Sequence, residues 1–172
     1  IFAVLGISMG AMQAYQWIVS YPDFCTKAVA IVGSPQLSSY DLLLWHTELM
    51  AIETAAQAGP QGPDPMRLVA GIHTLALQTP ASIARTTPPA AFAPFAASVE
   101  TSIAKHDKDN WASQIRTLMS HDIYRRFNGS AGSAAGAVKT KVFTVTSRQD
   151  HVVYPGPAHI FARLLKTEPL EL

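Results

Sequence analysis

The 172 residues are 48% apolar and 15% charged, with thirteen basic side chains against twelve acidic ones and a formal charge of +1. Such a chain can bury the core of about one domain, which excludes an intrinsically disordered protein. The longest basic run is the Arg125-Arg126 pair, no footprint for nucleic acid, and no apolar stretch approaches the roughly 18 residues of a membrane span.

In chain order, residues 1–5 (IFAVL) form an unbroken apolar run, predicting a strand buried on both faces as in parallel sheets. Gly6 ends it. From Met9 to Ser20 the residues Met12, Tyr15 and Ile18 recur at helical spacing, and Pro22 stops the helix. The single cysteine, Cys25, rules out an internal disulfide and reads as a buried or half-buried thiol. A reducing, cytoplasmic setting is the expectation, since the opening residues also lack the basic stretch of a signal peptide. Residues 28–32 repeat the buried-strand pattern, broken by Gly33-Ser34-Pro35. Strand, helix, strand is a βαβ unit, whose ligands gather beyond the carboxyl ends of its parallel strands. Ser8 stands at such an end.

Residues 37–137 differ in kind. Rich in Ala and Leu, with breaks at Gly59-Pro60, Gly62-Pro63 and Pro88-Pro89, they predict an inserted cap of about four helices. Phe92, Phe95, Val99 and Ile103 share one stripe, and Trp111, Ile115, Leu118 and Met119 another, with Asp109 as the expected N-cap. The Gly/Ala/Ser run over 129–137 reads as a linker back to the main domain. Residues 141–146 predict a third strand, 147–150 the loop beyond its carboxyl end, 157–166 a helix, and 169–172 the start of a fourth strand. The domain expectation is thus a parallel-sheet core over 1–36 and 138–172, interrupted by a helical cap over 37–137.

The chemistry centres on Gly6-Ile7-Ser8-Met9-Gly10, a G-x-S-x-G pattern between a strand and a helix. A strained turn there holds the serine hydroxyl clear of the sheet, while glycines on either side let backbone approach without Cβ clashes. The N–H of Met9, at the helix start, can stabilise an oxyanion. The plainer alternative is a tight strand-to-helix connection without chemistry. Asp150, on the same rim in the order serine then acid, favours catalysis, with Ser8 as nucleophile and Asp150 as the acid orienting a histidine base.

The segment GISMGAMQAYQWIVSYPD resembles the nucleophile elbow and following helix of the homoserine O-acetyltransferase family of α/β-hydrolases. Gly6, Ser8, Met9, Gly10, Met12, Gln13, Trp17, Tyr21, Pro22 and Asp23 fit its pattern, and Ile7 and Ala11 depart from it. QDHVVYP resembles the family's acid loop and KDNWASQ a cap helix. The resemblance implies the α/β-hydrolase fold, a parallel sheet with flanking helices and a helical cap. It also implies acyl transfer from acetyl-CoA through an acyl-Ser8 intermediate to a small-molecule hydroxyl, or, with water as acceptor, an esterase. A non-catalytic ligand-binding relative stays open, as does a homodimer.

None of the six histidines fills the base position. His151 adjoins Asp150 too closely to face it, His159 falls in the following helix, and His46, His73, His106 and His121 belong to the cap, where packed or solvated roles are commoner. The base is expected beyond Leu172 and the second oxyanion donor before Ile1, so the chain reads as an interior piece, inactive without a remainder that could be a second chain. For substrate binding, Trp45 and Phe92, with Met50 and Phe95, are candidate walls of an acyl pocket, although such spacing more often marks core. Arg116 and Arg148 are candidates for an anionic substrate or the phosphates of coenzyme A, against the commoner solvated arginine. Asp122 and His121 read as helix-end caps. No spacing suggests a metal, and no tightly bound cofactor is expected.

Overall fold

The computed structural model describes residues 1–57, 59 and 62–172. The chain separates into two compact units, residues 1–39 with 120–172, and residues 40–119. The first is built on a parallel sheet of β1 (Ala3–Ile7), β2 (Lys27–Ile31), β3 (Lys141–Thr146) and β4 (Leu170–Glu171), in that spatial order. Register pairs Ile7 with Ile31 and Ile31 with Val145, so all strands end at one rim. The ladder continues past the strand ends, with Ser8 N–H donating to Ile31 O at 2.9 Å and Val32 N–H to Val145 O at 2.8 Å.

Helices α1 (Met9–Ser20), α7 (Ala131–Ala137) and α8 (Gly156–Leu164) cover one face of this sheet. Alternate strand residues point to that face, and Ala28, Ala30 and Val142 meet Ala11, Tyr15, Ile18, Ala134 and Phe161 there. Small residues on the strands let the aromatic rings of Tyr15 and Phe161 settle edge to face, centroids 5.7 Å apart. The Tyr15 hydroxyl lies 3.2 Å from Thr144 Oγ1; burial pushes its pKa up to about 12. The expectation of strands buried on both faces is corrected. Leu5, Ile7 and Phe143 on the opposite face are exposed, because the helices packed on these strands within the unit lie on one side.

The run over 129–137, read as a linker, is a helix for residues 131–137. Ser130 caps it by accepting from Ser133 N–H, and Ala134 and Ala135 are buried in the sheet unit's core. Alanine supplies helix propensity and small side chains permit close packing, so composition that resembles a linker serves as an interface. Ile123 and Tyr124 join the same core, which is why this unit resumes at residue 120 rather than after 137.

Among the described residues, five α-helices fall wholly or mainly in the second unit: α2 (Ser39–Gln57), α3 (Pro65–Leu77), α4 (Pro80–Thr86), α5 (Phe92–Ser102) and α6 (Lys108–Met119). Asp64 and Thr79 cap α3 and α4, each followed by proline at the first helical position. The expected break at Gly59-Pro60 lies partly outside the described residues. At α6 the cap is Asp107, whose carboxylate accepts from Asn110 N–H at 2.8 Å, and not Asp109, which pairs with Lys108 in the first turn. Among the described residues no helix is long and apolar enough to cross a membrane.

Candidate functional site

Ser8 joins β1 to α1 with φ 54° and ψ −120°, a conformation that L-residues rarely adopt. Strain of this kind costs on the order of 1–3 kcal/mol and persists where surrounding structure enforces it. Two glycines enforce it here. A Cβ at Gly6 would overlap the Gly10 carbonyl, and one at Gly33, just past β2, would overlap the Ala11 side chain and stand 3.0 Å from Ser8 O. The expectation that Gly10 is also needed for clearance is corrected, since a Cβ there meets nothing within 4 Å. Gly33 is the constraint that sequence reasoning missed, because its partners lie more than twenty residues earlier in the chain.

Serine at a helix start ordinarily turns its hydroxyl back to cap the first turn. Ser8 makes no such bond and is exposed, so its hydroxyl is free to face the rim. The carbonyl of Ser8 accepts from Ala11 and Met12 N–H at 2.9 and 3.2 Å, fixing the turn. Met9 and Gly10 occupy the first turn of α1, where N–H groups have no carbonyl four residues back within the helix.

Asp150 lies four residues past β3, on the rim of Ser8 and two strands away, about 10 Å by strand spacing. Its Oδ1 accepts from Val152 and Val153 N–H at 2.8 and 2.9 Å, orienting the carboxylate. Both bonds use one oxygen. Among the described residues Oδ2 has no hydrogen-bond donor, so it is available to an imidazole N–H.

Besides His151, which directly follows Asp150, His159 and His121 also border this rim. His159 Nε2 lies 2.8 Å from Thr146 Oγ1 and 3.8 Å from Glu171, which also accepts from Arg148 Nε at 2.8 Å. His121, assigned to the cap by sequence, belongs to the sheet unit. Its Nε2 lies 3.0 Å from Ser34 O, and burial holds its pKa below the ordinary value. It is therefore a neutral donor and no helix cap. Asp122 is no helix cap either: its carboxylate accepts from Tyr124 N–H at 2.8 Å in a turn ahead of the 3-10 segment over 125–127, whose own cap position is Tyr124, and Asp122 pairs with Gln36 in an antiparallel bridge.

The remaining candidates belong to the helical unit, and no contact joins them among the described residues. Trp45 is buried beside His73, ring centroids 6.0 Å apart, with its Nε1 unpartnered. Phe92 is exposed and lines a surface groove with Phe95 and Val99. Arg116 donates to Glu53 at 2.9 Å. Sequence reasoning overlooked the centre of this unit: fully buried Glu48, its Oε1 3.1 Å from His73 Nδ1 and its Oε2 accepting from Trp111 Nε1 at 3.0 Å. Among the described residues no three His, Cys, Asp or Glu side chains gather as a metal site.

No family model matches the chain. An ethyl acetate hydrolase of Pseudomonas veronii is 48% identical over 58 residues, 33% of this chain and 17% of that protein. A homoserine O-acetyltransferase of Methanosalsum zhilinae is 42% identical over 52 residues, 30% of this chain and 11% of that protein. The solved structure of the acetyl esterase MekB superposes with TM-score 0.84 at 26% identity, covering 99% of this chain and 53% of that one. The chain thus spans about half the length of that neighbour, and its curated relatives match over shorter stretches still. These names support acyl transfer or ester hydrolysis as the chemistry of the group. The chain has the α/β-hydrolase fold, and its relatives and structural neighbours are esterases and homoserine acyltransferases of that fold.

Proposed function

We propose that the protein to which this chain belongs is a serine acyl enzyme, with Ser8 as nucleophile, Asp150 as the acid that orients a histidine base, and Met9 N–H as an oxyanion donor. The observation that carries this reading is the strained Ser8 turn with its unengaged hydroxyl. In the first half-reaction the histidine base takes the Ser8 hydroxyl proton as Oγ attacks an acyl carbonyl. The oxyanion accepts from Met9 N–H, and collapse expels the leaving group with the proton from the base. In the second half, a hydroxyl acceptor or water loses its proton to the same base, attacks acyl-Ser8 and restores the free serine.

For the transferase version the donor is acetyl-CoA and the acceptor a homoserine-like hydroxyl. The hydrolase version is supported by the longer and higher match to an ethyl acetate hydrolase. The two separate on acceptor dependence, measured on the full-length protein. Acetyl-CoA consumption that requires an added hydroxyl compound indicates transfer, and ester cleavage without one indicates hydrolysis. Covalent labelling by a serine-reactive phosphonate is expected to vanish in Ser8→Ala, and labelling that persists overturns the nucleophile assignment.

A further inference from the structure

We propose that His121 is a positioning residue for the Ser8 turn, acting through the loop over 32–36; this role rests on Ser8 being the nucleophile. Just past β2, Val32 has φ 45°, a conformation that β-branched residues almost never adopt. The chain therefore leaves β2 in a strained turn, as it leaves β1, and the two turns touch. Gly33, the next residue, is the point of contact: a Cβ there would overlap Ala11 and stand 3.0 Å from Ser8 O and 3.2 Å from Met12 N. Movement of the 32–36 loop is thus movement of the wall behind Ser8.

Backbone strain persists only where the surroundings hold it, and residues 121–123 hold this loop. His121 Nε2 donates to Ser34 O at 3.0 Å, Ile123 N–H donates to Pro35 O at 3.1 Å, and Gln36 bridges to Asp122. Ile123 anchors the clip in the core of the sheet unit. The Ile123 and Asp122 links belong to the backbone and survive substitution; the His121 link is supplied by a side chain. Ser34 and Pro35 are buried, so a Ser34 carbonyl stripped of its donor is driven to move toward a new one. As the loop draws back, Gly33 comes off Ser8 O. Ser8 can then leave its strained dihedrals and turn its hydroxyl onto the start of α1, as serine there ordinarily does. A hydroxyl so engaged is misplaced for attack.

Saturation kinetics of labelling by a fluorophosphonate, measured on the full-length protein, separate the chemical rate constant from reagent binding. His121→Ala should lower the rate constant about 10-fold and leave the half-saturating concentration unchanged. His121→Gln, whose amide nitrogen reaches the place of Nε2, should restore the rate constant to within about 2-fold. His121→Asn, one bond shorter, should not. Val142→Ala, which hollows the same core at the start of β3, should lower the unfolding temperature and leave the rate constant unchanged. Should His121→Ala lose its near-ultraviolet circular dichroism, His121→Asn reads the same loss in a folded protein. A wild-type protein that is not labelled at Ser8 removes the nucleophile assignment, and this role with it. The role of His121 alone is overturned, with Ser8 labelled, if His121→Ala and His121→Asn keep the wild-type rate constant or their loss lies in reagent binding. Failure of His121→Gln to recover the rate, or an equal loss in Val142→Ala, overturns it as well.

Discussion

The Ser8 turn and the Glu48 cluster are both tightly constrained, and by opposite means. At Ser8 the constraint is steric, with Gly6 packed against the Gly10 carbonyl and Gly33 against the Ala11 side chain and Ser8 O, so that one side chain is held in a strained pose with its hydroxyl free. At Glu48 it is polar, with one buried carboxylate holding an imidazole of α3 and an indole of α6 onto α2. The first arrangement leaves a reactive group unsatisfied and the second satisfies both carboxylate oxygens. Strain with a free hydroxyl suits chemistry, whereas a satisfied network specifies how helices meet.

The largest effect should come from adding atoms where the turn has no room. Gly6→Val places side-chain atoms inside the Gly10 carbonyl, and a loss above about 4 kcal/mol or failure to fold is expected in urea unfolding, because the obstacle is backbone. Gly10→Ala, where a Cβ meets nothing, should by contrast be neutral to slightly stabilising through helix propensity. Equal losses for the two would break the steric account.

Glu48→Ala tests the other side of the comparison. It leaves His73 Nδ1 and Trp111 Nε1 without their acceptor and opens a cavity, for an expected cost of about 3 kcal/mol in the transition that reports the helical unit. Glu48→Gln keeps an acceptor for Trp111 and should recover about half of that. If it recovers nothing, charge rather than hydrogen bonding holds the cluster.

Smaller differences sharpen the picture. Asp107→Ala should cost about 1 kcal/mol as a lost cap and Asp109→Ala under about 0.5, read by thermal unfolding at matched pH. His121 sets a pH dependence in the sheet unit. Its folded pKa lies below the unfolded value near 6.5, so the folded state favours neutral imidazole. That contribution is complete above the unfolded pKa and is lost as pH falls toward the folded one. Wild-type stability should drop between pH 7 and pH 5.5 by more than that of His121→Gln, and equal slopes would remove His121 as the cause.

Particular residues show how far the sequence could be read. The strand-turn-helix around Ser8 and the loop carrying Asp150 were legible because strand pattern, helical spacing and glycine placement act over a few neighbouring residues. The α6 cap was misplaced by two positions, since Asp107 and Asp109 are chemically identical and only the helix start decides which carboxylate faces Asn110 N–H. The helix over 131–137 was hidden by its composition, and its identity came from packing among Ile18, Phe161 and the strand alanines.

What the sequence determined by itself is local: parallel βαβ architecture, a serine at a strained turn, and an acid on the same rim, each dictated by sterics or periodicity within one short segment. The tertiary structure decided what depends on residues far apart in the chain. It set Gly33 against the Ser8 turn, joined Glu48 to His73 and Trp111, and brought Ile123 and Tyr124 into the core of the sheet unit. The reason is physical. A turn or helix is chosen by the dihedral freedom and spacing of neighbours, whereas burial, pairing and exposure exist only once distant segments have packed.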